Sequence, residues 1–131
     1  MLSSLPHHLY DMPIYKKALD IFTLSQNISA YLNYDLSDLN QDGSEKKEIY
    51  FSGDIVQQST SLAPEILKAE LEQCSDRRHK HAARVRIMTN LLYRNSYRLE
   101  KCDSNGKEFL PLLRRELKKF RKMQSHWMMT L

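Results

Sequence analysis

Lys80, Arg84, Ile87, Leu91, Arg94, Arg98 and Lys101 recur at steps of three and four residues. On a helix they share one stripe, basic at both ends and apolar in the middle. Cations at that spacing can neutralise a row of phosphates, and Ile87 with Leu91 would suit contact with a second subunit. Further on, Arg114, Arg115, Lys118, Lys119, Arg121 and Lys122 crowd the outward side of another periodic stretch. They could hold phosphates without reading sequence, or form an ordinary solvated helix face. Tyr93 and Tyr97 could stack on bases or pack inside a helical core. Asp38-Leu39-Asn40-Gln41-Asp42-Gly43-Ser44 has oxygen ligands at positions one, three and five and glycine at six, the opening of a calcium loop. The bidentate glutamate due at position twelve is replaced by Ile49, so a polar turn explains the run better. His79 and His81 are two residues apart and would fall on different sides of a helix. With two scattered cysteines they make no zinc signature.

The remaining candidate for chemistry is Arg121-Lys-Met-Gln-Ser-His126. It looks like the Arg-x4–6-His motif of HEPN-family ribonucleases, small helical bundles that cleave RNA without metal. There histidine could act as base on a ribose 2′-hydroxyl while arginine stabilises the charged phosphate. Lys122 departs from the polar uncharged or acidic residue usual after that arginine. No nucleophile elbow, phosphate-binding glycine loop or helical Glu-x-x-His pair is present.

The 131 residues suit one ordinary domain. Hydrophobic residues at 41% and charged ones at 27% give a globular balance, and three glycines argue against a turn-rich all-β fold. No apolar run approaches the roughly 20 residues needed to span a bilayer. The start lacks a secretory pattern, and two cysteines are too few for a disulfide framework, so a reduced cytoplasmic setting is expected. Charge is unevenly spread. Residues 1–75 carry 5 basic and 11 acidic side chains, whereas residues 76–131 carry 15 basic and 5 acidic. A contiguous surface built from the second part would attract polyanions.

Hydrophobic periodicity predicts the elements that must position these residues. Met1–Tyr10 shows no period and reads as a flexible tail, leaving 11–131 as the folded domain. Asp11 and Pro13 predict an N-cap and first turn, with Ile14, Ala18, Ile21, Ser25, Ile28 and Leu32 facing inward as far as about Tyr34. Tyr15, Leu19 and Phe22 should widen that face. After a polar linker at Asp35–Ser44, a second helix is predicted from Glu45 to near Cys74, through Ile55, Ser59, Leu62, Ile66, Ala69 and Gln73. Pro64 should bend but not end it. Ser75 and Asp76 predict the cap of a third helix running to about Cys102, with Val85, Met88, Leu92, Asn95, Leu99 and Cys102 inward. Asp103–Gly106 is a stop and turn. A fourth helix should follow from Lys107 to Met128, with Leu110, Leu113, Leu117, Phe120, Gln124 and Trp127 inward. The expected fold class is all-α, an antiparallel up-down four-helix bundle.

Asp11-Met12-Pro13-Ile14-Tyr15-Lys16-Lys17-Ala18 resembles the opening of a bacterial family of four-helix bundles, the 23S ribosomal-RNA intervening-sequence proteins. Members typically begin Asp-Leu-Pro-Val-Tyr/Trp-Lys/Gln-Lys-Ala. Ile55 and Ser61-Leu62-Ala63-Pro64-Glu65-Ile66 are similar to the family's second-helix motif, with the proline displaced by one residue. Helix order and the Asn105-Gly106 turn agree over about Asp11–Met123. The resemblance implies a homo-oligomer, a five-membered ring. The family includes Avd, the accessory protein of diversity-generating retroelements, which partners a reverse transcriptase and binds nucleic acid through a basic surface. It implies no catalytic residues.

The expectation from residues and resemblance together is a non-enzymatic protein without cofactor or metal. It binds RNA, DNA, an RNA–DNA hybrid or a nucleic-acid enzyme through its third and fourth helices. A purely structural interaction module and a HEPN-like ribonuclease are the alternatives.

Overall fold

A computed structural model describes residues 7–35, 47–101 and 107–131. Its elements are α1 (His7–Tyr10), α2 (Pro13–Asp35), α3 (Lys47–Leu71), α4 (Ser75–Glu100), a 3-10 turn at Lys107–Phe109, and α5 (Leu110–Met128). Among the described residues there is no strand, and no helix is long and apolar enough to cross a membrane. The Asp38–Ser44 run, Cys102 and the Asp103–Gly106 turn lie outside the described residues. α2 packs on α3 and α5, and α4 packs on the same two helices. All four contribute to one hydrophobic core.

The chain start departs from the tail expected through Tyr10. His7–Tyr10 forms a single helical turn, and Leu9 is buried to 2% exposure. A four-residue turn is too short to show a period, so only packing reveals it. The Tyr10 ring meets Tyr15 of α2 edge-on at 5.6 Å. The cap of α2 also moves by one residue. Pro13 occupies the first helical position, and the Met12 carbonyl accepts the Lys16 amide at 3.0 Å, so Met12 rather than Asp11 stands at the N-cap. Ile14, Ala18, Ile21, Ser25 and Ile28 are buried as expected, whereas Leu19 is exposed. Leu32 lies outside the described side chains.

α3 stays helical through Pro64, which is exposed and lacks the amide that would bond back to Thr60. Just before it, the hydroxyls of Ser59 and Thr60 donate to the Val56 carbonyl and that of Ser61 to Gln57. The helix ends at Leu71, earlier than the expected Cys74, and Gln73 is consequently exposed rather than inward. Cys74 is the N-cap of α4, its carbonyl accepting the Arg78 amide at 2.9 Å. Ser75 and Asp76 sit in the first turn instead of capping it. Asp76 there favours the positive end of the helix dipole.

Val85, Leu92, Asn95 and Leu99 of α4 face inward, and Met88 is half-buried. Thr89 and Ser96 are buried too, because their hydroxyls bond to the carbonyls of Val85 and Tyr93 at 2.7 Å each. All six inward positions expected on α5 are buried. Trp127 carries its indole N–H to Glu70 of α3 at 2.8 Å.

One ion pair gives the fold a defined acid sensitivity. Lys17 of α2 donates to Glu116 of α5 at 2.8 Å, and Lys119 reaches the other carboxylate oxygen at 3.2 Å. The Lys17 hydrogen bond, against the opposing effect of burial, holds the Glu116 carboxyl below its ordinary range. A carboxyl depressed by folding stabilises the fold above its unfolded pKa, about 4.3 for glutamate. That contribution disappears as pH falls through the lower folded value. Glu116→Gln is therefore expected to melt earlier than wild type at neutral pH and together with it in strong acid. Coincident melting curves at pH 7 would show that the pair adds nothing.

Candidate nucleic-acid interface

Where α4 meets α5, Asn90, Tyr93, Tyr97 and Glu100 follow one another at three- and four-residue steps and line one flank of α4. From α5, two arginines seven residues apart reach across to them. Arg121 donates from Nη2 to Asn90 Oδ1 at 3.0 Å, and its guanidinium lies 4.4 Å from the Tyr93 ring centre. Arg114 pairs with Glu100 and lies 5.3 Å from the Tyr97 ring. Lys101 covers the same ring at 4.6 Å. These cation–π contacts accompany two buried donors, Arg114 Nη1 and Arg121 Nε, with no hydrogen-bond acceptor among the described residues.

The contacts border a recess of about 570 Å³ lined by Asn90, Tyr93, Arg94, Tyr97, Arg98, Lys101 and Arg121. Among the described residues, four cations face it and no carboxylate does. The tyrosines differ in role. Tyr93 is half-buried and packs against the core, whereas Tyr97 is 49% exposed. The recess is therefore a positive surface with an accessible aromatic ring, a combination suited to an anion attached to a planar group.

The structure divides the cations expected from sequence. Arg94, Arg98, Lys101 and Arg121 converge on the recess, with Arg114 behind Tyr97. Lys118 is exposed on α5 between Arg114 and Arg121, while Arg115 and Lys122 are exposed further round. Lys80 and Arg84 do not join them. Arg84 precedes Arg94 by ten residues, roughly 15 Å of helix. It lies instead 3.8 Å from Glu65 of α3, a buried carboxylate that also accepts from His81 at 2.8 Å and pairs with Lys68. Lys119 is held by Glu116. Thus Arg84, Arg114 and Lys119 have internal counterions that no spacing rule in the sequence announced. Of the expected subunit contacts, Ile87 is 57% exposed and Leu91 is half-buried.

Asn90 and Glu100 are the site residues that sequence reasoning missed. Both align Arg side chains from α5, and only the docking of the two helices gives them partners. Arg121 and His126, by contrast, do not converge. Five residues turn a helix by roughly 140° beyond one full turn. His126 lines a separate apolar recess of about 330 Å³ with Met12, Ile14 and Trp127. His79 donates to its own helix, at the Ser75 carbonyl, 2.8 Å away. Among the described residues no group of three His, Cys, Asp or Glu side chains could hold a metal ion.

Away from the recess, the Cys74 thiol is lowered from its ordinary value, chiefly by the Arg77 backbone amide at the start of α4. The Cys74 amide in turn lowers Glu72, whose carboxylate accepts it at 3.1 Å. No family model, curated protein or solved structure matches this chain.

Proposed function

We propose that this chain is a non-enzymatic, cytoplasmic accessory protein that binds nucleic acid, or a nucleic-acid enzyme such as a reverse transcriptase, through the basic surface of α4 and α5. In this reading it is an antiparallel up-down four-helix bundle. The two partners of each long helix and the short α3–α4 connection support that arrangement. It assembles as a homo-oligomer, a five-membered ring if the likeness of Asp11–Ala18 to the intervening-sequence proteins extends to assembly. Exposed Ile87 would then be covered by a neighbouring copy.

The observation that carries the nucleic-acid reading is the recess itself, with Arg94, Arg98, Lys101 and Arg121 around two tyrosines and no carboxylate among the described residues of its wall. Phosphates would replace counterions at these cations, so affinity should fall steeply with salt. A second reading, a structural interaction module, draws on the internal ion pairs of Arg84, Arg114 and Lys119.

A gel shift of labelled structured RNA and of an RNA–DNA hybrid, at low and near-physiological salt, separates the two. Retarded, uncleaved bands that fade with salt are the expected result. No shift at low salt would leave the interaction module. Light scattering of the same sample would give the mass of the assembly, and a monomeric mass would overturn the ring.

A further inference from the structure

We infer that the α4–α5 recess takes a single strand of nucleic acid, with phosphates on Arg94, Arg98 and Lys101 and one base stacked on Tyr97. The inference rests on the nucleic-acid reading above and narrows it to one strand geometry. Tyr97 is the reason. The core does not require this ring, which is 49% exposed, and yet it is held in place from α5 by Arg114, itself fixed by Glu100. An aromatic ring held in position at the surface loses little freedom when a base stacks on it. Lys101 can swing from the ring to a phosphate, because its ammonium is on a long, exposed side chain.

A duplex fits this wall poorly. Its bases are stacked on one another, and it offers a protein its phosphates and groove edges, neither of which uses a tyrosine face set in a recess between two helices. An unpaired base offers a free face of any identity. Arg94, Arg98 and Lys101 extend the positive wall over roughly 10 Å of helix axis, enough to follow a strand beyond one nucleotide. Arg121 is committed to Tyr93 and Asn90 and supplies charge from the back of the recess.

Fluorescence anisotropy of the full chain with a short labelled oligouridine, an RNA duplex of equal length and uridine monophosphate as competitor tests the inference. Wild type is expected to bind the single strand more tightly than the duplex. Tyr97→Leu should weaken the single strand about tenfold with an unchanged salt slope, while Tyr97→Phe keeps most of the affinity. Tyr97 is exposed, and a circular-dichroism melt confirms that each variant is folded. Equal or tighter duplex binding, or a Tyr97→Leu variant that binds like wild type, overturns the single-strand inference and leaves nucleic-acid binding standing. Displacement by uridine monophosphate at matched nucleotide concentration overturns it in favour of a mononucleotide pocket. Failure of wild type to bind either polymer at low salt defeats both readings together.

Discussion

Replacing Arg94 and Arg98 together by glutamate is expected to weaken binding of structured RNA on the order of a hundredfold near physiological salt. The slope of affinity against salt should also fall by about two, one for each phosphate left without its arginine. Both residues line the recess and both are exposed. The change inverts the sign of much of its wall, so repulsion adds to the missing attraction. Lys16→Glu with Lys80→Glu is the control, since it makes the same change of net charge at two exposed positions outside the recess. It should cost only a small factor through the general field, which salt screens within about 10 Å at 0.1 M. Equal weakening in the arginine and control variants would mean that total charge, not the recess, drives association. Undiminished binding by a folded Arg94→Glu/Arg98→Glu protein would remove the recess from the proposed function.

For stability the largest single effect is expected from Phe120→Ala. Phe120 is fully buried and belongs to the core cluster that α2, α3, α4 and α5 build together. Removing a buried phenylalanine ring typically costs about 3–5 kcal/mol, part transfer energy and part residual cavity. Against a total of about 5–15 kcal/mol for an ordinary domain, that is a large fraction. The thermal midpoint should drop by more than about 10 °C, and the urea midpoint should fall with little change in slope. Phe120→Leu refills part of the space and should cost clearly less. The melts need one fixed protein concentration, because assembly adds a concentration-dependent contribution. A Phe120→Ala protein as stable as wild type would contradict the placement of this ring at the centre of the packing.

Much of the helical framework is legible in the sequence because burying one stripe of a helix demands apolar residues at three- and four-residue steps. α5 shows this without interruption. Leu110, Leu113, Leu117, Phe120, Gln124 and Trp127 are spaced for one face, and all six are buried. α4 is less transparent, since Thr89 and Ser96 look polar and yet enter the core by bonding to carbonyls of their own helix. Helix ends slip by a few residues where caps compete. Cys74 takes the N-cap that Ser75 or Asp76 could have supplied, and Met12 takes the one expected at Asp11.

The candidate site was half visible. That residues 76–131 are strongly basic, and that Arg94, Arg98 and Lys101 share a stripe, follows from order along the chain. Which cations act together does not. Arg121 meets Tyr93 and Asn90 across about thirty residues of sequence, and that meeting depends on how far α5 is rotated and slid against α4. Docking of α4 on α3 takes Arg84 to Glu65, that of α5 on α4 takes Arg114 to Glu100, and Arg121 and His126 line different recesses. Local periodicity thus fixed which face of each helix is buried, because that depends only on neighbours one turn away. The recess, its counterions and the exposure of Tyr97 were decided by the packing of whole helices, because charge and ring contacts form between residues that no spacing along the chain relates.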